Sequence, residues 1–287
     1  MELRHPDRFG KRGRGRRGGR PLPGRLSCRA VRVLALDFDG VISDSAREAF
    51  GVALRTFADL DPAAKLASLA SDPLPEAHPD LYDLFLASMP LGNRAEDFGV
   101  VLSAAAAGAP LESQDAYDSY RNGLDSSWLE AFHSHFYEVR TLWSERDREQ
   151  WLALMAPYPA ILELLRRRSS DVELAIATAK DGASVAALLE RYGVADLFPS
   201  ERILDKETGV DKRAHLQLLS ERLACPLSEL TFVDDKVNHL ESVAPLGVRC
   251  GLATWGYNGL REQERARECG YRVLTLENVE EQLFAAD

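Results

Sequence analysis

VRVLALDFDGVI, residues 31–42, is an apolar and β-branched run that ends in two carboxylates and a glycine. This pattern predicts a buried strand that breaks into a tight loop. Because successive side chains of an extended segment point to opposite sides, we expect Asp37 and Asp39 to face one spot while Phe38 points into the protein. The sequence therefore predicts two acids together at the tip of a strand.

Three further stretches place polar side chains in similar positions. Residues 172–180, VELAIATAK, have an apolar strand pattern that ends at Thr178, and residues 230–235, LTFVDD, have another that ends in two acids. Between them, Lys212 directly precedes a helical repeat of leucines. If the strand ends are neighbours, each pair of acids at about 4 Å costs roughly 4 kcal/mol at an effective dielectric near 20. A hard divalent cation bound by oxygens would offset this repulsion.

In this order, the four stretches resemble the motifs of the haloacid dehalogenase superfamily, whose members are mostly magnesium-dependent phosphatases. The resemblance implies that Asp37, the backbone carbonyl of Asp39 and Asp235 bind Mg²⁺ directly, with Asp234 as a supporting ligand. Asp37 is the predicted nucleophile, which forms an aspartyl-phosphate, and Asp39 is the predicted general acid and base. The dehalogenases of the family lack an acid at the position of Asp39 and its ATPases carry Thr there, so this residue favours phosphatase or phosphomutase chemistry.

The same resemblance identifies groups that would hold the phosphate. Thr178 and the backbone N–H of Ala179 are expected to contact the phosphoryl oxygens, near the positive end of a following helix. Lys212 is expected to neutralise both the nucleophile and the phosphate. Lys206 is an alternative for this position, but we favour Lys212 because it directly precedes the leucine repeat.

A further cation is expected at the site, because four carboxylates, one Mg²⁺ and one lysine sum to a negative charge before a phosphate enters. Lys180 and the arginines of the cap, Arg94 especially, are the candidates for this substrate-binding role. Arg94 belongs to a polar loop, residues 92–97, for which a solvated helix start is the alternative interpretation. Residues 254–258, TWGYN, resemble the loop after the fifth strand of phosphoglycolate phosphatase-like members and are expected to pack beside the site without reacting.

Helix and strand patterns alternate from residue 159 onwards. The alternation predicts an α/β fold, a doubly wound parallel sheet with helices on both faces, as in the Rossmann-like core of the family that the chain resembles. In such sheets the reactive site lies outside the carboxyl ends of the strands. The predicted helices cover residues 159–168, 183–192, 213–223 and 237–244 and a short segment near Glu280, and the predicted strands cover residues 172–177, 202–204, 230–234, 248–252 and 271–276.

Residues 45–155 form the predicted cap. Helical patterns there are separated by Pro and Gly without a good strand pattern between them. The resemblance implies an all-helical cap inserted into a core domain of residues 31–44 and 156–287. Several aromatic residues with helical spacing are interpreted as the core of this cap, with a ligand-stacking wall as the alternative. They are Trp128, Phe132, Phe136, Trp143 and Trp151.

Charge is divided unevenly along the chain. Residues 1–30 hold ten Lys or Arg and two Asp or Glu, while the remainder holds 25 and 43, a formal charge of -18. The Arg/Gly-rich start cannot bury enough apolar surface to offset its ordering entropy, which predicts a disordered basic tail. Arg/Gly tracts can bind nucleic-acid backbones, but only Phe9 is available for base stacking, so we favour an accessory segment.

Composition predicts a cytoplasmic protein without a membrane partner. The sequence has no run of about 18 apolar residues, and its basic start lacks the apolar centre of a signal peptide. The four cysteines are scattered without Cys-x-x-Cys spacing. Reduced thiols are therefore expected.

These patterns together predict a magnesium-dependent phosphomonoester hydrolase that acts on a small phosphorylated metabolite. One alternative is a phosphomutase of the same fold. A second is a phosphonatase, whose Schiff base needs a cap lysine, and Lys65 is the only lysine between residues 45 and 155. A third is a nucleic-acid-binding adaptor that uses residues 1–30, against which the intact set of catalytic residues weighs. The sequence leaves the oligomeric state and the substrate open.

Overall fold

The protein is described by a computed structural model over residues 32–92 and 94–284. Over these ranges the strands are β1 Val33–Leu36, β2 Ser43–Asp44, β3 Ala156–Pro157, β4 Glu173–Ala177, β5 Ile203–Leu204, β6 Leu230–Asp234, β7 Arg249–Ala253 and β8 Arg272–Leu274. Six of them form a parallel sheet in the order β5-β4-β1-β6-β7-β8. The predicted α/β fold with a parallel sheet is therefore confirmed.

Helices connect the strands and cover the sheet. They are α1 Ala46–Leu60, α2 Pro79–Ser88, α3 Ala95–Ala107, α4 Gln114–Gly123, α5 Ser126–Arg146, α6 Arg148–Ala153, α7 Pro159–Arg168, α8 Gly182–Arg191, α9 Lys212–Arg222, α10 Val237–Val243, α11 Leu260–Glu268 and α12 Val279–Phe284. The predicted helix at residues 159–168 is confirmed to the residue, and those at residues 183–192, 213–223 and 237–244 agree within one residue at each end. Helix α11 was not predicted. Among the helices of the described ranges, none combines the length and the apolarity needed to cross a bilayer.

Side chains of β1 divide between two hydrophobic clusters, one on each face of the sheet. Leu34 and Leu36 pack in a cluster with the apolar sides of α7 and α8. Val33 and Ala35 pack in the other, with α9, α10 and α11. Because alternate residues of a strand face opposite sides, four consecutive buried residues require helices on both faces. This is the doubly wound arrangement.

Helices α1 to α6 lie between two very short strands. β2 and β3 pair antiparallel, with Ser43 opposite Pro157 and Asp44 opposite Ala156, so the chain leaves the sheet and returns side by side. We call the part between them, residues 45–155, the cap. Most of the predicted aromatic core is buried there, including Phe132 and Trp151.

The predicted tail, residues 1–30, lies outside the described residues. The same holds for Val31, Asn93 and residues 285–287. Arg94, directly after one of these positions, is described.

Candidate active site

Asp37 follows β1, the strand between β4 and β6, at the carboxyl edge of the sheet. Its backbone N–H donates to the Val233 carbonyl at 2.9 Å, which continues the ladder with β6. The carboxylate accepts a hydrogen bond from the Phe38 N–H at 2.7 Å and lies 2.8 Å from the Lys212 Nζ. Phe38 is fully buried, as the alternation predicts. The strand thus turns its first acid toward a lysine from another element.

Lys212 is the first residue of α9, and its side chain is almost fully buried. Its Nζ donates to the Ala177 carbonyl at 2.6 Å and lies 3.7 Å from Asp234 Oδ2, besides its contact with Asp37. Burial alone would lower the pKa of Lys212, but the carboxylates of Asp37 and Asp234 raise it above its ordinary value. Lys206, the alternative for this position, is exposed. The structure therefore brings Lys212 to the acids.

Asp39 is held by a second buried lysine. Lys180 Nζ donates to its two carboxylate oxygens at 3.1 and 3.3 Å, and the Ser45 hydroxyl donates to the same carboxylate. Burial opposes ionisation, yet Lys180 and Arg140 lower the pKa of Asp39 below its ordinary value. These two cations therefore favour the carboxylate form of Asp39.

Asp234 and Asp235 end β6 in different surroundings. Asp234 is fully buried and accepts hydrogen bonds from the Lys236 N–H at 2.9 Å and from His239 Nδ1 at 3.0 Å. Although burial opposes it, His239 and Lys212 lower the pKa of Asp234 to about 2. Asp235 accepts a hydrogen bond from the Tyr257 N–H at 2.7 Å and lies 3.8 Å from the Lys236 Nζ.

The donor set fits a divalent cation. Burial, with the neighbouring carboxylates of Asp234 and Asp37 adding to it, raises the pKa of Asp235 to about 7. Burial also raises the pKa of Asp37 above its ordinary value, although Lys212 opposes the shift. Burial therefore disfavours the charged forms of these two acids despite the lysines, and carboxylate oxygens are the ligands that hard cations prefer. Asp37, Asp234 and His239 also offer ligand atoms within 4.8 Å of one another.

A cavity of about 210 Å³ lies between these strand ends and the cap. The core contributes ten lining residues: Asp37, Asp39, Thr178, Ala179, Lys180, Lys212, Asp235, Lys236, His239 and Tyr257. Ser45, at the start of the cap, lines the cavity as well. The cap contributes Glu48, Ala49, Met89, Ala95, Phe98, Phe136, Tyr137 and Arg140. Seven of the nine predicted site residues thus line one cavity.

Thr178 and Ala179 lie where β4 ends. The Thr178 N–H donates to the Leu204 carbonyl at 2.8 Å, and its hydroxyl accepts a hydrogen bond from the Lys180 N–H at 3.2 Å. Asp181 caps the following helix α8 through the Ser184 N–H at 2.8 Å. This turn directs the hydroxyl and the second lysine toward the cavity.

Arg94 does not lie in the cavity. It precedes α3, its side chain is 73% exposed, and its nearest acid is Glu96 at 3.8 Å. Asp234 is fully buried and also does not line the cavity. The prediction that Arg94 contacts substrate therefore has no support in this geometry. A solvated helix start, the alternative interpretation, describes its position.

Arg140 of α5 is the cation that the cap supplies instead. Sequence analysis preferred Arg94 among the cap arginines because it lies in a polar loop, whereas Arg140 lies four residues after Phe136 on a mostly buried helix face. Glu48, its partner, belongs to the apolar side of α1. A charged residue within an apolar helical stripe was the available signal for both.

Tyr257 confirms that the TWGYN loop packs beside the site. Its hydroxyl donates to Asp44 at 2.9 Å and accepts from the Ser45 N–H at 2.6 Å, while its N–H holds Asp235. The Trp255 indole donates to the Val41 carbonyl at 3.1 Å. The loop therefore joins the end of β6 to the strand that leads into the cap.

The chain is similar to known proteins in sequence and in fold. A sequence model of haloacid dehalogenase-like hydrolases matches residues 31–247. A solved structure of a haloacid dehalogenase-like family hydrolase from Streptococcus pneumoniae is 15% identical, covers 81% of this chain and 89% of its own, and has a TM-score of 0.53. No curated protein sequence matches the chain significantly.

Two further solved structures are similar. One, described as a predicted phosphatase from Clostridium acetobutylicum, is 12% identical with a TM-score of 0.56, over 89% of this chain and 99% of that one. Another, described as a predicted phosphoglycolate phosphatase from Haemophilus somnus, is 18% identical with a TM-score of 0.54, over 80% and 88% of the two chains. At these identities the similarity concerns the fold.

Proposed function

The chain belongs to the haloacid dehalogenase-like hydrolase family, and we propose that it is a magnesium-dependent phosphatase that acts on a small phosphomonoester. One observation carries the proposal. Asp37, paired with Lys212 at 2.8 Å, and Asp39, paired with Lys180 at 3.1 Å, open onto one cavity together with Asp235. This arrangement supports the roles of a nucleophile and an acid–base group, each beside its own cation, on one cavity.

In the proposed reaction, an Asp37 carboxylate oxygen attacks phosphorus and forms an aspartyl-phosphate. The bond between phosphorus and the ester oxygen breaks, and Asp39 gives its proton to the departing alkoxide. Entry of the phosphate dianion beside Asp39 raises its pKa, since like charges disfavour ionisation, and so prepares it as an acid. In the second half, Asp39 takes a proton from water, whose oxygen displaces Asp37 and releases inorganic phosphate.

The other residues hold the phosphoryl group. Thr178 and the Ala179 N–H donate to its oxygens, and the Lys212 ammonium lies between the nucleophile and the phosphate. When bound by Asp37, Asp235 and the Asp39 carbonyl, Mg²⁺ supplies positive charge to the phosphoryl oxygens. His239 is better assigned to Asp234, which it contacts at 3.0 Å, than to the cation.

The volume of the cavity favours a small substrate. Its volume of about 210 Å³ is below the roughly 300–1,000 Å³ of pockets that hold drug-sized ligands. The cap lies over the strand ends and would exclude bulk water from the phosphoryl group.

Cys225, Cys250 and Cys269, the described cysteines, are free thiols, which agrees with the proposed cytoplasmic location.

The test is a panel of phosphorylated metabolites assayed for phosphate release with and without Mg²⁺. The wild type is compared with Asp37→Asn, which is expected to lose about 10³-fold or more in kcat because an amide cannot form the covalent intermediate. Radiolabelled phosphate should be trapped on the acid-quenched wild type but not on the variant. Asp196→Asn, an exposed acid outside the cavity, serves as the control.

An Asp37→Asn variant that releases phosphate at the wild-type rate would show that the nucleophile is assigned wrongly. Phosphoryl return to a sugar phosphate, dependent on an added bisphosphate, would favour a phosphomutase instead.

A further inference from the structure

Glu48 and Arg140 form a closed ion pair in the cap half of the cavity. Arg140 Nε donates to Glu48 Oε1 at 2.8 Å and Arg140 Nη2 donates to Oε2 at 2.6 Å, a two-bond fork. The Trp151 indole N–H donates to Oε1 as well, at 3.0 Å. The Glu48 side chain has no exposed surface. The positive charge of Arg140 is thus matched before any substrate arrives.

The rest of the cap lining is mainly apolar. Its side chains are Ala49, Met89, Ala95, Phe98, Phe136 and Tyr137. The rings of Phe98 and Phe136 contact each other with centroids 5.7 Å apart. The part of a substrate that points away from the strand ends would therefore meet aromatic and aliphatic surface together with a neutral ion pair.

Charge on the cavity wall is balanced. Among the residues that the structure describes, four lining carboxylates, Asp37, Asp39, Glu48 and Asp235, face four lining cations, Lys180, Lys212, Lys236 and Arg140. His239, the other lining residue that can carry a positive charge, pairs with Asp234 behind the wall. A divalent cation and a phosphate dianion cancel each other and preserve this balance. A second anionic group on the substrate would find no unmatched cation, and an unpaired buried charge is strongly unfavourable.

Building on the proposed function, we propose that the substrate is the phosphomonoester of an uncharged alcohol, and that the Glu48–Arg140 pair excludes esters whose alcohol carries a carboxylate. Arg140 retains its Nη1 group, which can donate to a neutral hydroxyl. The protein would then differ in substrate class from a phosphoglycolate phosphatase. Glu48 is the determinant, because it cancels the charge with which Arg140 would otherwise bind a carboxylate.

The first test compares two esters of similar size, 2-hydroxyethyl phosphate and 2-phosphoglycolate, with the wild-type protein. We expect kcat/KM to favour the uncharged ester by about tenfold or more. A preference for 2-phosphoglycolate overturns the inference and leaves the proposed function in place. If neither these esters nor any other member of the metabolite panel releases phosphate, the proposed function itself fails.

The second test uses Glu48→Gln, which frees the charge of Arg140. We expect the ratio of kcat/KM between the two esters to move toward 2-phosphoglycolate by about tenfold. The ratio is measured within one variant, so a lower fraction of folded protein does not affect it. Glu96→Gln is the matched control, because Glu96 is a buried cap glutamate paired with His133 at 2.7 Å outside this cavity. An unchanged ratio in Glu48→Gln would overturn the role of the pair, and if that variant does not fold, the wild-type ratio decides.

Discussion

Lys212 is the residue on which the acids of the site depend most directly. Its ammonium reaches Asp37 at 2.8 Å and Asp234 at 3.7 Å, and it reaches the end of β4 through the Ala177 carbonyl at 2.6 Å. Three separate strands thus meet at one nitrogen. A buried cation shared among several partners is costly to remove, because each partner loses its compensation at once.

We therefore expect Lys212→Gln to lower kcat by about 10²-fold or more, since the variant loses the charge beside the nucleophile and the phosphate. Lys206→Gln is the control, because Lys206 competes for the same motif position in sequence but is exposed in the structure. It should keep kcat within about twofold. Steady-state kinetics on the best substrate, with circular dichroism to verify folding, makes the measurement. The reverse ranking of the two variants would assign the motif to Lys206.

The sequence predicted those site residues whose polar side chains directly follow the end of a strand. Asp37, Thr178 and Asp235 were visible because an apolar run stops at each of them, and parallel strands end on one edge. Arg140 and Glu48 were not, because their contact joins positions 92 residues apart within the cap. Sequence spacing predicts which side chains are neighbours within one helix or strand. It does not predict which residues of α1 and α5 lie opposite each other.

Among the elements, the loops after β1 and β7 are fitted around Asp235. Gly40 has φ of +78°, and a Cβ there would lie 2.6 Å from the Asp235 carboxyl carbon. A Cβ at Gly256 would overlap the Asp235 Cβ and the Gly40 carbonyl oxygen. The φ angle of Gly256 is not positive, so glycine is needed there only because a side chain has no room. The two glycines allow both loops to reach the carboxylate.

For Gly256→Ala we expect a loss of about 1–3 kcal/mol in the free energy of unfolding, because backbone and a short side chain must move. Asp235 should be displaced with the loop, which lowers kcat/KM by about tenfold or more. The matched control is Gly123→Ala at the end of α4, where a Cβ meets nothing within 4 Å. Its unfolding free energy should stay within about 0.5 kcal/mol of the wild type. Urea denaturation and kinetics on both variants test this, and equal behaviour of the two would refute the packing argument.

The core elements could be predicted because buried strands and amphipathic helices carry strong periodic patterns. The helical pattern of residues 159–168 predicted both ends of α7. β2 and β3, in contrast, have two residues each and are defined only by pairing across the whole cap, with Ser43 opposite Pro157. No period can appear in two residues, so this pair is set by tertiary structure alone.

In the described part of the molecule, one hydrophobic cluster extends from the sheet into the cap. It includes Leu34 and Ile176 of the sheet and Phe50 and Phe132 of the cap. The cap is therefore attached by a shared core as well as by two connecting strands.

Deletion of residues 1–30 is expected to leave the fold and the activity intact, because the family model matches residues 31–247 and the composition of the tail predicts disorder. The formal charge changes from -10 to -18, a change that acts on association with other charged molecules rather than on the fold. We expect the melting temperature to shift by less than about 2 °C and kcat/KM to change by less than about twofold. Thermal melts and phosphate release are measured on both proteins, and RNA binding is measured by fluorescence anisotropy at two salt concentrations. If both proteins fail to release phosphate while only the full chain binds RNA, with weaker binding at high salt, the chain is an adaptor rather than an enzyme.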